Sequence, residues 1–250
     1  MKRKIACITG SSRGIGKAIA LCFAKDGYDI VLNCRNSISQ MDKVKLEIET
    51  TYSVRCMGIC ADVSNPEQVT QMFQTISSEF GEIDVLVCNA GISFFGLISD
   101  MTPMEWQNVI NTNLSSSFYC CKQAIPSMVA RKSGRILIIS SIWGNCGASY
   151  EVAYSAAKGG LNTFTKALAK ELGVSRVVIR EALQRMRAER KIITRQGVGS
   201  FCANPNNYIE FIENSENAVS DEEMTAFMEF RSTVEYPVYR LAAKNRTEED

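Results

Sequence analysis

Short apolar runs alternate with stretches of helical spacing along the first two thirds of the chain. The apolar runs, which we predict to be strands, are residues 4–9, 29–33, 55–60, 83–87 and 135–141. The stretches between them, which we predict to be helices, are residues 17–25, 39–51, 66–80, 103–111, 114–131 and 151–172. Strands that are apolar throughout and alternate with helices indicate a parallel sheet covered on both faces. The pattern therefore predicts an α/β fold.

Composition narrows the classes of protein. Of the 250 residues, 46% are hydrophobic and 22% are charged, and the sequence shows neither an apolar run of membrane-spanning length nor a signal peptide. Its ten cysteines form no Cys-x-x-Cys pair, and Cys7, Cys22 and Cys88 fall in apolar patterns, which favours buried thiols in a reducing cytoplasm. Because the chain has no histidine, His-based triads and His-containing metal sites are excluded. We predict no metal and no membrane partner.

Charge is unevenly distributed, although the net charge is only +1. Residues 174–202 carry seven basic and two acidic residues, whereas residues 203–250 carry four basic and eleven acidic residues. A basic segment followed by an acidic one indicates parts of the chain with different partners.

The glycines that follow the first predicted strand are candidates for phosphate binding. Gly10, Gly14 and Gly16 lie where that strand turns into a helix. In a parallel sheet, ligands bind at the carboxyl ends of the strands, and glycine there lets backbone N–H groups approach a pyrophosphate at the helix N-terminus. For this segment taken alone, the alternative is a plain glycine-rich turn.

The ends of the second and third strands carry candidate contacts to a nucleotide. Asp62 ends the third strand, where it can hydrogen-bond an adenine ring or simply form a turn. The second strand ends without an acidic residue to hold a ribose 2′-hydroxyl, whereas Arg35 together with Arg13 can hold a 2′-phosphate. This favours NADP(H) over NAD(H), unless either arginine is a plain surface residue.

Tyr154 and Lys158 are the candidate chemical groups. Being four residues apart, they share one face of a predicted helix, and Ser140 and Ser141 end the fifth strand, where they can face the same crevice. An ammonium group near a tyrosine favours the phenolate, so Tyr154 can donate and recover a proton near neutral pH. Ser141 can polarise a substrate carbonyl. Asn113 can hold a water that links Lys158 to solvent, or it merely interrupts a helix.

Together these residues resemble the short-chain dehydrogenase/reductase family. The matching motifs are Thr9-Gly10-x-x-x-Gly14-Ile15-Gly16, Asp62-Val63, Asn89-Ala90-Gly91, Asn113, Ser141 and Tyr154-x-x-x-Lys158. The resemblance implies a Rossmann-type sheet with strand order 3-2-1-4-5 and hydride transfer from NADP(H) to a carbonyl. The implied catalytic residues are Asn113, Ser141, Tyr154 and Lys158. The implied cofactor contacts are Thr9, Gly10, Ser12, Arg13, Gly14, Ile15, Gly16, Arg35, Asp62, Val63, Asn89, Ala90, Gly91, Tyr154 and Lys158.

Two groups within that family share features with this chain. Residues 12–16 and 33–35 resemble bacterial NADPH-dependent 3-oxoacyl-acyl-carrier-protein reductases. Residues 140–154 instead resemble reductases of the 5-aminopentanone modification on elongation factor P. Both resemblances imply a small-molecule or carrier-bound ketone as substrate. The family also implies a homodimer or homotetramer that forms through the 114–131 and 154–173 helices.

A second resemblance begins where the first ends. Residues 168–202 resemble the winged helix-turn-helix of bacterial GntR-family regulators, chiefly through residues 168–176, 180–183 and 196–199. The implied DNA contacts are Ser175, Arg176, Arg180 and Gly197. The positions that depart from that family's pattern are Val177, Val178 and Arg190. The pattern consists of a basic helix over residues 176–189 and strand-like runs at residues 192–194 and 200–202. An ordinary basic helix followed by a hairpin is the alternative.

The chain is therefore predicted to join two unrelated pieces. Residues 1–173 form an NADP(H)-binding domain without the last strands and substrate loop of its family, and residues 168–202 form a winged-helix segment. Residues 203–220 are a linker, and residues 221–250 are a helical fragment. Its helical pattern covers residues 221–245 and resembles the opening helix of a ligand-sensing domain. The seam falls in residues 167–173, and the fifth strand is expected to be an exposed edge. The expected function is an NADPH-dependent carbonyl reductase; the alternatives are a DNA-binding regulator and a folded but inactive fusion.

Overall fold

The structure is a computed structural model that describes residues 3–173, 192–195 and 199–202. Its strands are β1 Ile5–Ile8, β2 Asp29–Cys34, β3 Cys56–Cys60, β4 Val85–Cys88, β5 Arg135–Ile138, β6 Ile192–Arg195 and β7 Gly199–Cys202. Its helices are α1 Gly14–Lys25, α2 Ile38–Tyr52, α3 Pro66–Thr75, α4 Pro103–Ile110, α5 Ser116–Ala130, α6 Trp143–Cys146 and α7 Val152–Glu171. The chain divides after Gly173 into two units, which are described separately.

The first unit is built on a parallel sheet of five strands in the order β3-β2-β1-β4-β5. Every residue of β1, β2 and β4 is buried, because apolar side chains cover both faces of the sheet. Ile30 and Leu32 pack in one cluster with Ile48 of α2, whereas Val31 packs on the other face with Val69 of α3. The structure confirms the α/β fold and the strand order 3-2-1-4-5 expected from the sequence.

The helical region of residues 103–131 is continuous, although the sequence predicts two separate helices there. A π-helical turn, Asn111–Ser115, joins α4 to α5. Within it the side-chain amide of Asn113 donates to the carbonyl oxygens of Val109 (2.8 Å) and Ile92 (2.7 Å). Single π-helical turns occur within α-helices, and a side chain that bonds the preceding turn competes with the backbone hydrogen bonds there. Asn113 is therefore held at one fixed place beside the loop that follows β4.

The strand β5 lies at one edge of the described sheet. Its residues alternate between exposed and half-buried, and Leu137 is 43% exposed. This agrees with the expected exposed edge. Cys7 and Cys88 are buried as predicted, but Cys22 is exposed on α1, because its position in the helical repeat faces away from the sheet. In the part of the chain that the structure describes, no helix is both long and apolar enough to span a membrane.

The second unit is described only at the antiparallel pair β6 and β7. Ile192 pairs with Cys202, and Arg195 pairs with Gly199. The two strands coincide with the strand-like runs predicted at residues 192–194 and 200–202. Three predicted segments lie outside the described residues. They are the basic helix of residues 176–189, the linker and the helix of residues 221–245.

Candidate active site

The loops that follow β1 and β4 are tied together by Thr9 and Asn89. The Thr9 hydroxyl oxygen accepts hydrogen bonds from the backbone N–H groups of Asn89 and Ala90, both at 3.0 Å. In return, the Asn89 side-chain amide donates to the carbonyl oxygens of Thr9 (2.9 Å) and Gly10 (3.1 Å). Thr9 is buried behind these contacts, so it positions the two loops without bordering the cavity that they form.

The glycine turn between β1 and α1 leaves no room for side chains at two positions. Gly10 has φ of 62°, a left-handed conformation, and a Cβ there would lie 2.9 Å from Ala90 Cα. A Cβ on Gly16 would collide with the Gly10 carbonyl oxygen and with Nδ2 of Asn89. The turn therefore packs directly on the β4 loop through backbone atoms.

The N-terminus of α1 lacks a side-chain cap, unlike the N-termini of α3 and α4. Asn65 and Thr102 accept hydrogen bonds from first-turn N–H groups of α3 and α4, but Arg13 makes no such bond at α1. First-turn N–H groups without internal partners, together with the helix dipole, favour an anion. This end of α1 fits a phosphate group.

A cavity of about 460 Å³ lies over the carboxyl ends of β1, β2 and β3. It brings together all of the sequence-predicted cofactor contacts except Thr9, Tyr154 and Lys158. The predicted residues that line it are Gly10, Ser12, Arg13, Gly14, Ile15, Gly16, Arg35, Asp62, Val63, Asn89, Ala90 and Gly91. Seven further residues line it and were not predicted, because they carry no motif; they are Asn33, Cys34, Asn36, Ser37, Ala61, Ile92 and Thr112.

Arg35 and Asp62 face each other at the rim of this cavity. Their closest charged atoms are 3.8 Å apart, and the Arg35 side chain is 50% exposed. Asp62 also accepts hydrogen bonds from the backbone N–H and the hydroxyl of Ser64, so it forms the turn that was the alternative for it and still borders the cavity. The exposed guanidinium of Arg35 is free to turn toward an anionic ligand.

A second cavity of about 360 Å³ contains the predicted chemical groups Ser141, Tyr154 and Lys158. It shares four lining residues with the first cavity, so the two cavities adjoin, and together they are called the groove. The shared residues are Ile15, Asn89, Gly91 and Ile92.

Lys158 is held deep in this groove. Lys158 is only 4% exposed, and its Nζ donates a hydrogen bond to the Ile139 carbonyl oxygen at 2.8 Å. Nζ also lies 5.4 Å from the centre of the Tyr154 ring, within the range of a favourable cation–π contact. Burial lowers the pKa of the ammonium group below its ordinary value. The charge is thus fixed next to the tyrosine that it is expected to assist.

The two serines at the end of β5 have different surroundings. The Ser140 hydroxyl donates to the Lys158 carbonyl oxygen at 3.2 Å and ties β5 to α7. The Ser141 hydroxyl oxygen accepts from the backbone N–H of Trp143 at 3.2 Å, which leaves its own hydrogen to be donated. Both serines line the cavity, but the Ser140 hydroxyl hydrogen is already donated, whereas that of Ser141 is available for a carbonyl oxygen.

Asn113 does not line this second cavity but lies just behind it. It is 1% exposed, and its Oδ1 has no hydrogen-bond partner among the described residues. A Cβ placed on Gly91 would lie 2.6 Å from that oxygen and 3.7 Å from Nζ of Lys158. A buried acceptor without a partner is uncommon in folded proteins. The arrangement fits a water molecule that joins Asn113 to Lys158.

Glu151 is a cavity residue that the sequence analysis did not single out. It lies three residues before Tyr154, and the hydroxyl of Ser93 donates to its carboxylate. Beside them the rings of Phe95 and Tyr150 stack with centres 5.2 Å apart. Helical spacing from Tyr154 was the available signal for Glu151, whereas the partnership with residues 93–95 exists only in the folded chain.

The burial of Lys158 predicts a pH-dependent stability. Because its pKa is lowered in the folded protein, the unfolded chain holds the proton to a higher pH, and stability rises with pH between the folded and unfolded pKa values. Lys158→Met removes this term. We therefore expect the free energy of unfolding of Lys158→Met, relative to the parent chain, to fall as the pH is raised toward the ordinary lysine pKa of about 10.4.

Urea denaturation at several pH values measures this difference. The matched control is Lys25→Met, because Lys25 is exposed at the end of α1. The Lys25→Met difference from the parent chain is the reference against which the Lys158→Met difference is compared at each pH. A difference for Lys158→Met that is constant, or that grows with pH, would contradict the lowered pKa.

The sequence matches two family profiles. The short chain dehydrogenase profile matches residues 4–183, and the profile of bacterial regulatory proteins of the gntR family matches residues 165–202. The two matches overlap at residues 165–183. The predicted seam of residues 167–173 lies within that overlap, so both resemblances found in the sequence are confirmed as family matches.

Characterised relatives match the first part of the chain. The 3-oxoacyl-[acyl-carrier-protein] reductase FabG of Staphylococcus aureus (strain Mu50 / ATCC 700699) is 40% identical over 169 residues, 68% of each chain. The corresponding reductase of Synechocystis sp. is 41% identical over 176 residues, 70% of this chain and 71% of the relative. D-beta-hydroxybutyrate dehydrogenase of Rhizobium meliloti is 38% identical over 176 residues, 70% of this chain and 68% of the relative.

Solved structures give the same assignment. An alcohol dehydrogenase of Thermococcus sibiricus, complexed with 5-hydroxy-NADP, matches with a TM-score of 0.66 and 30% identity over 69% of this chain and 72% of its own. L-sorbose reductase of Gluconobacter frateurii, complexed with NADPH and L-sorbose, matches with a TM-score of 0.66 and 34% identity over 68% of this chain and 65% of its own. With its profile match across residues 4–183 and these relatives, the chain belongs to the short chain dehydrogenase family.

Proposed function

We propose that the chain is an NADPH-dependent carbonyl reductase. One observation carries this proposal. The cavity at the glycine turn adjoins the cavity that contains Tyr154 and Lys158, and the two cavities share lining residues. One extended ligand can occupy both cavities. Relatives and structural neighbours whose names state reductase activity or bound NADP compounds support the same reaction class.

The residues present fit NADP(H). The uncapped N-terminus of α1 and Gly16 suit the pyrophosphate, Arg13 and Arg35 suit the 2′-phosphate, and Asp62 with Val63 lies where the adenine would be held. The loop of residues 89–91 joins this part of the groove to the catalytic part. When bound, the nicotinamide supplies the hydride that the substrate carbonyl carbon accepts.

Four residues of the chain would take part in proton transfer to the carbonyl oxygen. Tyr154 donates its hydroxyl proton to the carbonyl oxygen, and Ser141 donates a hydrogen bond to the same oxygen. The ammonium of Lys158 stabilises the phenolate that Tyr154 becomes. Asn113 holds a water that returns a proton from solvent toward Lys158.

For the substrate, we infer a carrier-bound 3-oxoacyl group. Support comes from the two 3-oxoacyl-[acyl-carrier-protein] reductases that are 40% and 41% identical to this chain. One observation favours the alternative, the 5-aminopentanone modification of elongation factor P. The carboxylate of Glu151 borders the catalytic cavity and would attract an ammonium group on a substrate. To decide between the two substrates, turnover of a 3-oxoacyl thioester is compared with turnover of an amine-bearing ketone. Both are measured in the parent chain and in Glu151→Gln.

We expect Arg35→Ala to weaken NADPH binding by about 10- to 100-fold, because a hydrogen bond to a charged group contributes about 1.5–3 kcal/mol. Binding of NADH, which lacks the 2′-phosphate, should not change. Fluorescence titration of both nucleotides measures the effect. Lys25→Ala is the control, since it also removes one positive charge. Lys25 lies at the C-terminal end of α1, whereas the N-terminal end is the one proposed to hold the phosphate. An equal loss of affinity for both nucleotides would show that Arg35 does not read the 2′-phosphate.

The second candidate function is a DNA-binding regulator, which the gntR-family match to residues 165–202 favours. Its implied contacts lie outside the described residues; they are Ser175, Arg176, Arg180 and Gly197. This candidate predicts a gel shift of duplex DNA at low salt that weakens steeply as salt rises. Replacing both arginines with alanine should reduce the salt dependence by about two ions. The matched control replaces Lys25 and Lys132, two exposed lysines of the first unit. A shift that the arginine variant retains unchanged removes this candidate.

We also propose that two or four copies of the chain associate through the 114–131 and 154–173 helices. Phe118 and Val129 support this, because they are exposed apolar side chains on one face of α5. Size-exclusion chromatography with light scattering tests it.

A further inference from the structure

Two cysteines occupy directly paired positions at the carboxyl ends of neighbouring strands. Cys34 is the last residue of β2 and Cys60 the last residue of β3, and the two are register partners in the parallel ladder. Paired strands lie about 4.8 Å apart, and a disulfide requires Cα atoms about 4.4–6.8 Å apart. Residues in register also direct their side chains to the same face of the sheet. The backbone thus already meets the main requirement for a bond between them.

The two thiols differ in access. Cys60 Sγ donates to the Arg35 carbonyl oxygen at 2.9 Å. Cys60 is exposed on an edge strand, whereas Cys34 is buried. Burial is the largest cause that raises the pKa of the Cys34 thiol, and the nearby Cys60 raises it further. A reagent from solvent therefore meets Cys60 first and finds Cys34 behind it.

The pair lies at the nucleotide end of the groove. Cys34 lines the 460 Å³ cavity and directly precedes Arg35. Cys60 stands two residues before Asp62, the ion-pair partner of Arg35. The third cysteine of these strands, Cys56, is at the opposite end of β3. A chemical change in the Cys34–Cys60 pair can therefore move the adjacent backbone of Arg35 and Asp62, which border the cavity.

We propose that Cys34 and Cys60 are a modification site for small-molecule disulfides, which close the pair into a disulfide and weaken nucleotide binding in the adjoining cavity. The weakening rests on the proposed function of this groove as an NADPH site, whereas the modification itself does not.

The reaction balances as two thiol–disulfide exchanges. The Cys60 thiolate attacks one sulfur of the reagent RSSR, which forms a Cys60–SR bond and releases RS⁻. The Cys34 thiol then loses its proton and attacks the Cys60 sulfur, which forms the Cys34–Cys60 bond and releases a second RS⁻. Both leaving groups take up the protons that the cysteines lost. The two cysteines are oxidised, and one RSSR is reduced to two RSH.

Closure acts on nucleotide binding through Arg35. The reaction consumes the S–H group that Cys60 donates to the Arg35 carbonyl oxygen and ties together the two strand ends that carry Arg35 and Asp62. Backbone shifts at Arg35 move the guanidinium that is proposed to meet the 2′-phosphate. Because linkage is reciprocal, bound NADPH should also oppose formation of the disulfide.

The test treats the purified full chain with glutathione disulfide and follows two readouts. Peptide mass spectrometry should find Cys34 and Cys60 in one linked peptide pair that is two hydrogen atoms lighter than the reduced peptides. Fluorescence titration should show NADPH affinity reduced by about fivefold or more in the oxidised chain and restored by dithiothreitol. Saturating NADPH should slow the appearance of the linked peptides.

Variants separate this pair from other thiols. Cys60→Ser, at an exposed position, should abolish both the linked peptide and the loss of affinity. Cys22→Ser, which removes an exposed cysteine on α1, should leave both effects intact.

Two results would overturn the proposal. A mixed disulfide that remains on Cys60 without linkage to Cys34 contradicts the modification site. A linked pair with unchanged NADPH affinity contradicts its effect on the groove. If the reduced chain does not bind NADPH at all, the proposed function fails together with that effect, whereas the mass readout still decides the modification site by itself.

Discussion

Tyr154→Phe should lower turnover of a ketone substrate by about 10²- to 10⁴-fold, the usual contribution of a positioned proton donor. The variant keeps the aromatic ring and its contact with Lys158, but it lacks the hydroxyl that borders the catalytic cavity. NADPH affinity should stay close to that of the parent chain, because the nucleotide cavity is unchanged. The measurement is NADPH oxidation with a 3-oxoacyl thioester and with an amine-bearing ketone, alongside fluorescence titration of the cofactor.

Tyr150→Phe is the matched control for this experiment. Tyr150 lies four residues earlier and stacks on Phe95 through its ring, which the substitution preserves. Its turnover should equal that of the parent chain. Turnover that survives in Tyr154→Phe would rule out Tyr154 as the proton donor. NADPH binding without turnover of either ketone in the parent chain would instead support the folded but inactive fusion.

Gly16→Ala should lower NADPH affinity by about 10- to 100-fold, the equivalent of about 1.5–3 kcal/mol of lost charge-assisted hydrogen bonding. The added methyl group would collide with the Gly10 carbonyl oxygen and the Asn89 amide, so the glycine turn must move away from the β4 loop. That movement also displaces the amide bonds of Asn89 to Thr9 and Gly10. The free energy of unfolding should fall by about 1–3 kcal/mol, as in other overpacked sites.

Gly27→Ala separates this effect from a general loss of stability. Gly27 has φ of 80° and open space around it, so an added methyl group introduces backbone strain without a collision. It should reduce stability by about 1 kcal/mol and leave NADPH affinity unchanged, because Gly27 lies outside the groove. Nucleotide titration and urea denaturation of both variants provide the comparison. An unchanged affinity in Gly16→Ala would mean that the turn does not hold the phosphates.

The long helix α7 contains both the best-supported chemistry and the predicted seam. Its buried residues are Ala153, Ala157, Lys158 and Leu161, all in the first half of the helix. Beyond Leu161 its residues are exposed or half-buried, and the division into two units falls after Gly173. The half that carries Tyr154 and Lys158 is thus anchored in the first unit's core, whereas the half shared with the gntR-family match depends less on that core.

The sequence by itself determined the parallel sheet, the glycine turn and the Tyr154–Lys158 pair, whereas the strand order 3-2-1-4-5 was implied by the resemblance to the family. Apolar strands such as β1 and β4 are buried on both faces, so their composition alone indicated a parallel sheet, and the motifs were ordered along the chain. Helical spacing placed Lys158 one turn from Tyr154 without any tertiary information. These features are local, and local patterns are directly readable.

Only the tertiary structure decided which residues support that chemistry. The π-helical turn that fixes Asn113, the burial that lowers the pKa of Lys158 and the place of Glu151 in the cavity each depend on contacts between distant segments. The pairing of Cys34 with Cys60 likewise follows from strand register, which no spacing along the chain encodes. The physical reason is that burial and register are set by packing, whereas the sequence displays only neighbours along the chain.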